Sequence, residues 1–238
     1  MRLNYNHTRL AGYISYITQA ISINLTPLFF IIFQEEYRID YSRLGRLILI
    51  TFLIQLSVDF LSIRLLEKIG YRPAGILAHV LATVGLILLG VLPSVLPDPY
   101  TGVLIAVFFY SAGGGMTEVI VSPLIDALPG EAKASSMSLL HSFYSWGQCG
   151  VVLVTTILLR WIGSGQWGFL PCLWAVIPAL NVILFCVVPI PDMTAGKQQG
   201  NRLSDLLRKP AFYMFILLMI CCGAAEMTMS QWASLFAE

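Results

Sequence analysis

The sequence predicts an all-α membrane protein, a six-helix bundle followed by one further helix, on three observations. Of 238 residues 57% are hydrophobic and only 11% charged, against roughly a quarter charged in soluble domains. The mean hydropathy is +0.78. The apolar residues come in blocks of roughly 20, long enough to cross a ~30 Å hydrocarbon layer as helices and without the short alternation of a membrane β-barrel. The lipid bilayer is therefore the partner that composition implies. A formal net charge of +1, from 14 Lys and Arg against 13 Asp and Glu, gives no reason to expect nucleic acid.

The first predicted span, Arg9–Phe33, is longer than the apolar core of a signal peptide and carries no A-x-A cleavage site, so it belongs to the mature protein. After the polar joint Gln34–Arg43 comes Leu44–Leu66, and after Glu67–Arg72 comes Pro73–Leu92. Pro93–Pro99 leads into Tyr100–Ile125, Asp126–Ala134 into Ser135–Ile162, and Gly163–Trp167 into Gly168–Val188. Pro189–Pro210 is the one long joint, with the basic run Lys197-Gln-Gln-Gly-Asn-Arg202 and a predicted short interfacial helix at Leu203–Leu207; Ala211–Phe236 is the seventh span. Residues 1–190 thus form the six-helix bundle, 191–210 the loop and 211–238 the last helix.

With a cytoplasmic N-terminus, ten basic residues lie inside: Arg2, Arg9, Arg64, Lys68, Arg72, Lys133, Lys197, Arg202, Arg208 and Lys209. Arg38, Arg43, Arg46 and Arg160 lie outside. The excess is in the direction the positive-inside rule requires, so the expectation is a multi-pass cell (inner) membrane protein with its N-terminus in the cytoplasm.

An ionisable group inside the hydrocarbon costs on the order of 2.5–3.5 kcal/mol on insertion scales, so each needs a partner or a water-filled cavity. Glu118 in the fourth span is the foremost candidate; Asp59, Glu226, His79 and His141 follow, with Trp232 as a stacking platform or interface anchor. Asp59 has the alternative of pairing with Arg64 or Lys68, and His79 that of a hydrogen-bonded packing residue. Positions three or four apart share a helix face. Ser15, Gln19, Ser22 and Thr26 form one polar stripe, and Thr51, Gln55, Asp59 and Ser62 a second. Ser111, Gly115, Glu118 and Ser122 form a third, and Ser138, His141, Ser145 and Gln148 a fourth. Four polar faces predict a shared aqueous cavity, although Ser, Thr and Gly also serve simply to pack membrane helices. The five cysteines lie in apolar blocks without the C-x-x-C pair of a zinc or redox site and read as small membrane residues rather than ligands. No H-E-x-x-H, G-x-S-x-G or P-loop occurs, so neither an enzyme nor a cofactor is expected.

Ile63-Arg-Leu-Leu-Glu-Lys-Ile-Gly-Tyr-Arg72 resembles the loop signature of the major facilitator superfamily, G-x-L-x-D-R-x-G-R-R, with Ile63 in place of its first glycine and Tyr71 in place of a basic residue. Gly113-Gly-Gly-Met-Thr-Glu118 with Pro123 resembles the fourth-span pattern of the fucose-permease-like branch of that superfamily, which contains sugar and proton symporters. Leu140-His-Ser-Phe-Tyr-Ser-Trp-Gly147 is similar to its fifth-span motif, and Gly223-Ala-Ala-Glu226 with Trp232 to the start of its second half. The resemblance implies the first six helices of a major-facilitator fold plus the first helix of the second half, the remainder of that half being absent. It implies secondary transport of a small polar solute such as a sugar with proton coupling, Glu118 matching the branch's coupling carboxylate. The first span has Asn24 where the branch's symporters carry an acid. Gln19, Asn24, Gln55, Asp59, His141, Gln148, Glu226 and Trp232 are the further expected solute and proton ligands, while Glu67, Lys68, Gly70 and Arg72 are the expected conformational latch. An exporter of drugs or metabolites with the same fold, and a truncated remnant that transports nothing, are the competing expectations.

Overall fold

The computed structural model of this chain describes residues 4–130, 133–191, 193 and 207–236. Arg2, the basic run Lys197–Arg202 and most of the predicted interfacial helix at Leu203–Leu207 lie outside the described residues. Every regular element among the described residues is helical. Among the described residues six helical segments are long and apolar enough to cross a membrane: Tyr5–Tyr37, Tyr41–Ser62, Tyr71–Val95, Pro99–Asp126, Lys133–Ile162 and Phe169–Val187. The chain divides into two compact units, Met1–Pro191 and Asp192–Glu238.

The first span departs from the single helix that the sequence predicts. Its helix α1 (Tyr5–Asn24) gives way to a 3-10 turn at Thr26–Phe29 before α2 (Phe30–Tyr37) resumes. Pro27 has no N–H to continue the ladder, and Leu28 N instead bonds Leu25 O, a three-residue step. The middle of the unit is then continuous: α3 (Tyr41–Ile69), α4 (Tyr71–Val95), α5 (Pro99–Asp126) and α6 (Lys133–Ile162). Asp40 caps α3 by accepting from Arg43 N, and Asp98 caps α5 by accepting from Thr101. The sixth span bends between α7 (Phe169–Trp174) and α8 (Val176–Val187), because Pro178 leaves the Trp174 carbonyl without a donor; Ala179 N still reaches Ala175 O across the bend.

Turns between α3 and α4 could hardly be tighter: Gly70 ends one helix and starts the next at φ 78°, a left-handed value that suits glycine. Packing then places α5 against α4, α3 and α1, and α1 against α6 and α8. The α4–α5 crossing is backbone against backbone. Ala74, Ala78, Ala82 and Gly85 form a buried small-residue stripe on α4. A methyl added at Gly113 would stand 2.5 Å from Ala78 O and 2.7 Å from Ala82 N. Lipid offers no hydrophobic drive between apolar helices, so such close approach supplies the van der Waals contact instead. The outer faces are apolar at helical spacing, Leu49, Leu53, Leu56 and Phe60 on α3 and Leu77, Val80, Val84, Ile87 and Val91 on α4.

Both ends of the bundle are fastened. At the end that carries the N-terminus, Thr8 Oγ1 donates to Pro189 O at 2.7 Å and Arg9 Nη2 to Pro129 O at 3.0 Å. At the other, Trp167 packs among Phe29, Phe33 and Tyr37, and the Arg43 guanidinium lies over the Tyr100 ring. Such pairings require successive spans to alternate in direction.

The second unit contains α9 (Pro210–Phe236), apolar from Pro210 to Glu226, with Tyr213 through Ile220 all exposed.

Candidate functional site

Three of the predicted polar stripes converge where α1, α3 and α5 meet. Gln19 on α1 is buried and donates through Nε2 to Glu118 Oε2 on α5 at 3.0 Å. Glu118 itself is exposed at the surface of the unit, although it lies on a membrane-spanning helix. On α3, Gln55 is buried and Asp59, one turn further, half-buried. Both rest on the glycine run. The Gln55 Nε2 atom is 3.1 Å from where a Cβ of Gly114 would be, and Asp59 Oδ1 3.2 Å from that of Gly115. Any side chain at 114 or 115 would displace these groups, so the glycines bring α3 close to the helix that carries Glu118. From the helix ends, Glu118, Asp59 and His141 all lie about 12–15 Å from the end of the bundle that carries the N-terminus.

The cluster is under-satisfied. Gln19 Oε1, Gln55 Nε2, Asp59 Oδ1 and Ser62 Oγ are buried atoms without a hydrogen-bond partner. Buried polar groups are normally bonded, so four such atoms on two neighbouring helices, one of them on the glutamine that grips Glu118, mark a place arranged for something besides folding. Asp59 does not pair with Arg64 or Lys68: among the described residues the ion pair is Arg43–Asp40.

The stripes do not act as wholes. Ser15 accepts from the buried Asn181 amide, which also contacts His79 Nε2 at 2.9 Å, while His79 Nδ1 faces Gly75 O at 2.7 Å. His79 is thereby a packing residue between α4, α8 and α1. Ser22 and Thr51 bond carbonyls of their own helices, and Thr26 meets the hydroxyl of the buried Tyr110. Asn24 donates to Ala20 O of its own helix and has no contact with the cluster among its hydrogen bonds.

On α6 the fifth-span motif divides by face. Leu140 is buried beside Tyr16, Val121 and Ile125, and Gly147 lies against Ile17 and Ala20, so these two positions seat α6 on α1. His141 is exposed and Gln148 half-buried. The His141 and Tyr16 rings meet in a T-shaped pair, 5.5 Å between centroids, and the Tyr16 hydroxyl pairs with Ser122 Oγ at 2.7 Å. Tyr16 thus links the Glu118 helix to His141, a residue whose sequence signal was no more than its three-residue spacing from Gln19. Asn181 had a clearer one, as the lone amide in an apolar span.

Of the expected latch, Arg72 is fixed within the first unit. Its guanidinium donates to the carbonyls of Phe185, Cys186 and Val188 at 2.9, 2.8 and 2.7 Å, capping the end of α8 with positive charge. Glu67 and Lys68 are exposed, and Gly70 is the turn. Glu226 and Trp232 are carried by the second unit, the former exposed and the latter half-buried.

The model of the family described as Major Facilitator Superfamily matches residues 12–238. No curated protein matches the chain.

Proposed function

The chain belongs to the major facilitator superfamily, whose members carry small solutes across membranes, and from that premise we propose that it takes up a small polar solute, a sugar by class, together with a proton that enters in the same direction. One observation carries the proposal: Glu118 is exposed at the depth of a membrane span and is gripped by a buried glutamine. A carboxylate in that position needs water or a ligand in front of it. The unpaired donor of Gln55 on α3 and, on α6, the exposed imidazole of His141 and the amide of Gln148 suit hydroxyl groups, which both donate and accept. Glu118 is the proton carrier in this scheme. The sequence signature at Glu67, Lys68, Gly70 and Arg72 is the part that stabilises one state of the cycle, with Arg72 holding α8 to the start of α4.

The orientation we propose has the N-terminus and the 191–210 loop in the cytoplasm of a cell whose inner membrane holds the protein, supported by the distribution of basic residues.

The test is Glu118→Gln, which mimics the protonated acid. It should abolish accumulation of solute driven by a pH gradient, yet spare exchange of labelled for unlabelled solute across the membrane. Accumulation with the wild-type pH dependence in the variant would overturn the role given to Glu118.

A further inference from the structure

We propose that Tyr16 is a positioning residue of the solute site: its hydroxyl, shared with Ser122, keeps Glu118 where Gln19 holds it, and its ring keeps His141 at the exposed face of α6. The proposal deepens the transport reading and rests on it for its purpose, although both tasks given to Tyr16 are properties of the first unit itself.

Tyr16 is buried in one apolar cluster with Val121 and Ile125 of α5 and Leu140 of α6. A buried phenol needs a partner for its hydroxyl, and Ser122 Oγ supplies one at 2.7 Å. Ser15, Ser22 and Thr117 bond the carbonyl four residues back on their own helices, the local outlet open to any helical hydroxyl. Ser122 turns to α1 instead.

The bond falls where α5 is weakest. Pro123 has no N–H for the Val119 carbonyl, so the ladder of α5 lacks a rung immediately after Glu118. A tie from α1 to Ser122 holds that stretch from outside. It is also the second of two such ties. Tyr16 and Gln19 share a face of α1, Ser122 and Glu118 share a face of α5, and the pairs meet in reverse order, as oppositely directed helices require. Two contacts one turn apart fix the rotation of α1 against α5 as well as its height. The tyrosine hydroxyl thereby helps to keep the Gln19 amide 3.0 Å from Glu118 Oε2.

The ring has the other task. It forms T-shaped pairs with His141 and with Tyr144, both on α6, at 5.5 and 6.5 Å between centroids. His141 is otherwise turned to the exposed side of that helix, and an aromatic pair of this kind favours one orientation of the imidazole.

The experiment treats the purified chain in detergent with dicyclohexylcarbodiimide, which modifies carboxyl groups, and with diethylpyrocarbonate, which modifies imidazoles, and follows Glu118 and His141 by mass spectrometry. Tyr16→Phe removes the hydroxyl and keeps the ring. It should speed modification of Glu118 by about fivefold, the change that follows from one net hydrogen bond, and leave His141 as in the wild type. Ser122→Ala should do the same, Ser122→Thr should keep the wild-type rate, and Tyr16→Phe combined with Ser122→Ala should exceed neither single change. Tyr16→Leu, which removes the ring as well, should speed modification at both residues. The control is Tyr13→Phe, which keeps its ring stacked on Phe143 and should alter neither. A wild-type rate at Glu118 in both Tyr16→Phe and Ser122→Ala overturns the role, and so does an equal rise at both residues in Tyr16→Phe, the mark of general loosening. Should Tyr16→Leu fail to fold, His141 modified faster in Tyr16→Phe overturns the task of the ring equally. The expected rates in a chain that exchanges no radiolabelled hexose support the role and sink the transport reading. Hexose exchange with wild-type rates at Glu118 in both hydroxyl variants sinks the role alone.

Discussion

Gly113→Ala isolates the contact that sets the position of the Glu118 helix. The added methyl would stand 2.5 Å from Ala78 O and 2.7 Å from Ala82 N, whereas a carbon and a carbonyl oxygen rest at about 3.3–3.6 Å. Both obstacles are backbone atoms, so no smaller side chain on α4 relieves them, and α4 and α5 must part by about 1 Å. Overpacking of a close-packed interior costs about 1–3 kcal/mol, and rigid backbone on both sides places this case near the upper end. Alanine recovers about 1 kcal/mol through its better helix propensity. The net loss of about 2 kcal/mol corresponds to a fall of roughly 4–8 °C in melting temperature for a chain of this size. The control is Gly150→Ala on α6, where nothing lies within 4 Å of the new methyl and only the propensity gain remains. Melting curves of the two variants and the wild type in one detergent decide the matter. A Gly113→Ala protein that melts with the wild type, or above it as Gly150→Ala should, would refute backbone contact as the reason for glycine there.

Arg72→Ala should lower the melting temperature by several degrees, because it strips three carbonyls at the end of α8 of a charged donor and hydrogen bonds to charged groups contribute about 1.5–3 kcal/mol; Arg72→Lys should restore only part, since one ammonium cannot fork to all three. Single cysteines placed in a cysteine-free background and treated with a membrane-impermeant maleimide should label quickly at positions 118 and 148 and slowly at the buried 19 and 55. In the same series Gly196→Cys should react only after the membrane is permeabilised, and reaction in intact cells would reverse the topology.

Asp59 illustrates how far the residues alone could lead. Its place on a polar stripe with Gln55 was legible, because i,i+4 spacing is a property of any helix. Its surroundings were not: Arg64 and Lys68 were near in sequence but do not pair with it, and its Oδ1 lies instead against Gly115 on the helix that carries Glu118, in the space a side chain there would fill. The first span shows the same division. Its apolar length announced a membrane crossing, whereas its break at Thr26–Phe29 depended on Pro27 lacking a donor in a setting where Thr26 could bond Tyr110. His79 stood in the sequence as an ionisable group in lipid, and Asn181 and Gly75 made it a packing residue.

Hydropathy and period thus determined, from the sequence by itself, that this chain is a set of membrane helices, which residues share a face, and which carboxylates need explaining. These follow from the chemistry of each side chain in lipid and from the fixed geometry of one helix. Only the tertiary structure decided that Gln19 grips Glu118, that Gly113 to Gly115 admit α3 and α4, and that the four stripes separate into packing seams and one unsatisfied cluster. Which side chains meet across helices depends on rotation, crossing and closeness of approach. Those are set by the summed packing of all the helices, and no single stretch of sequence contains that sum.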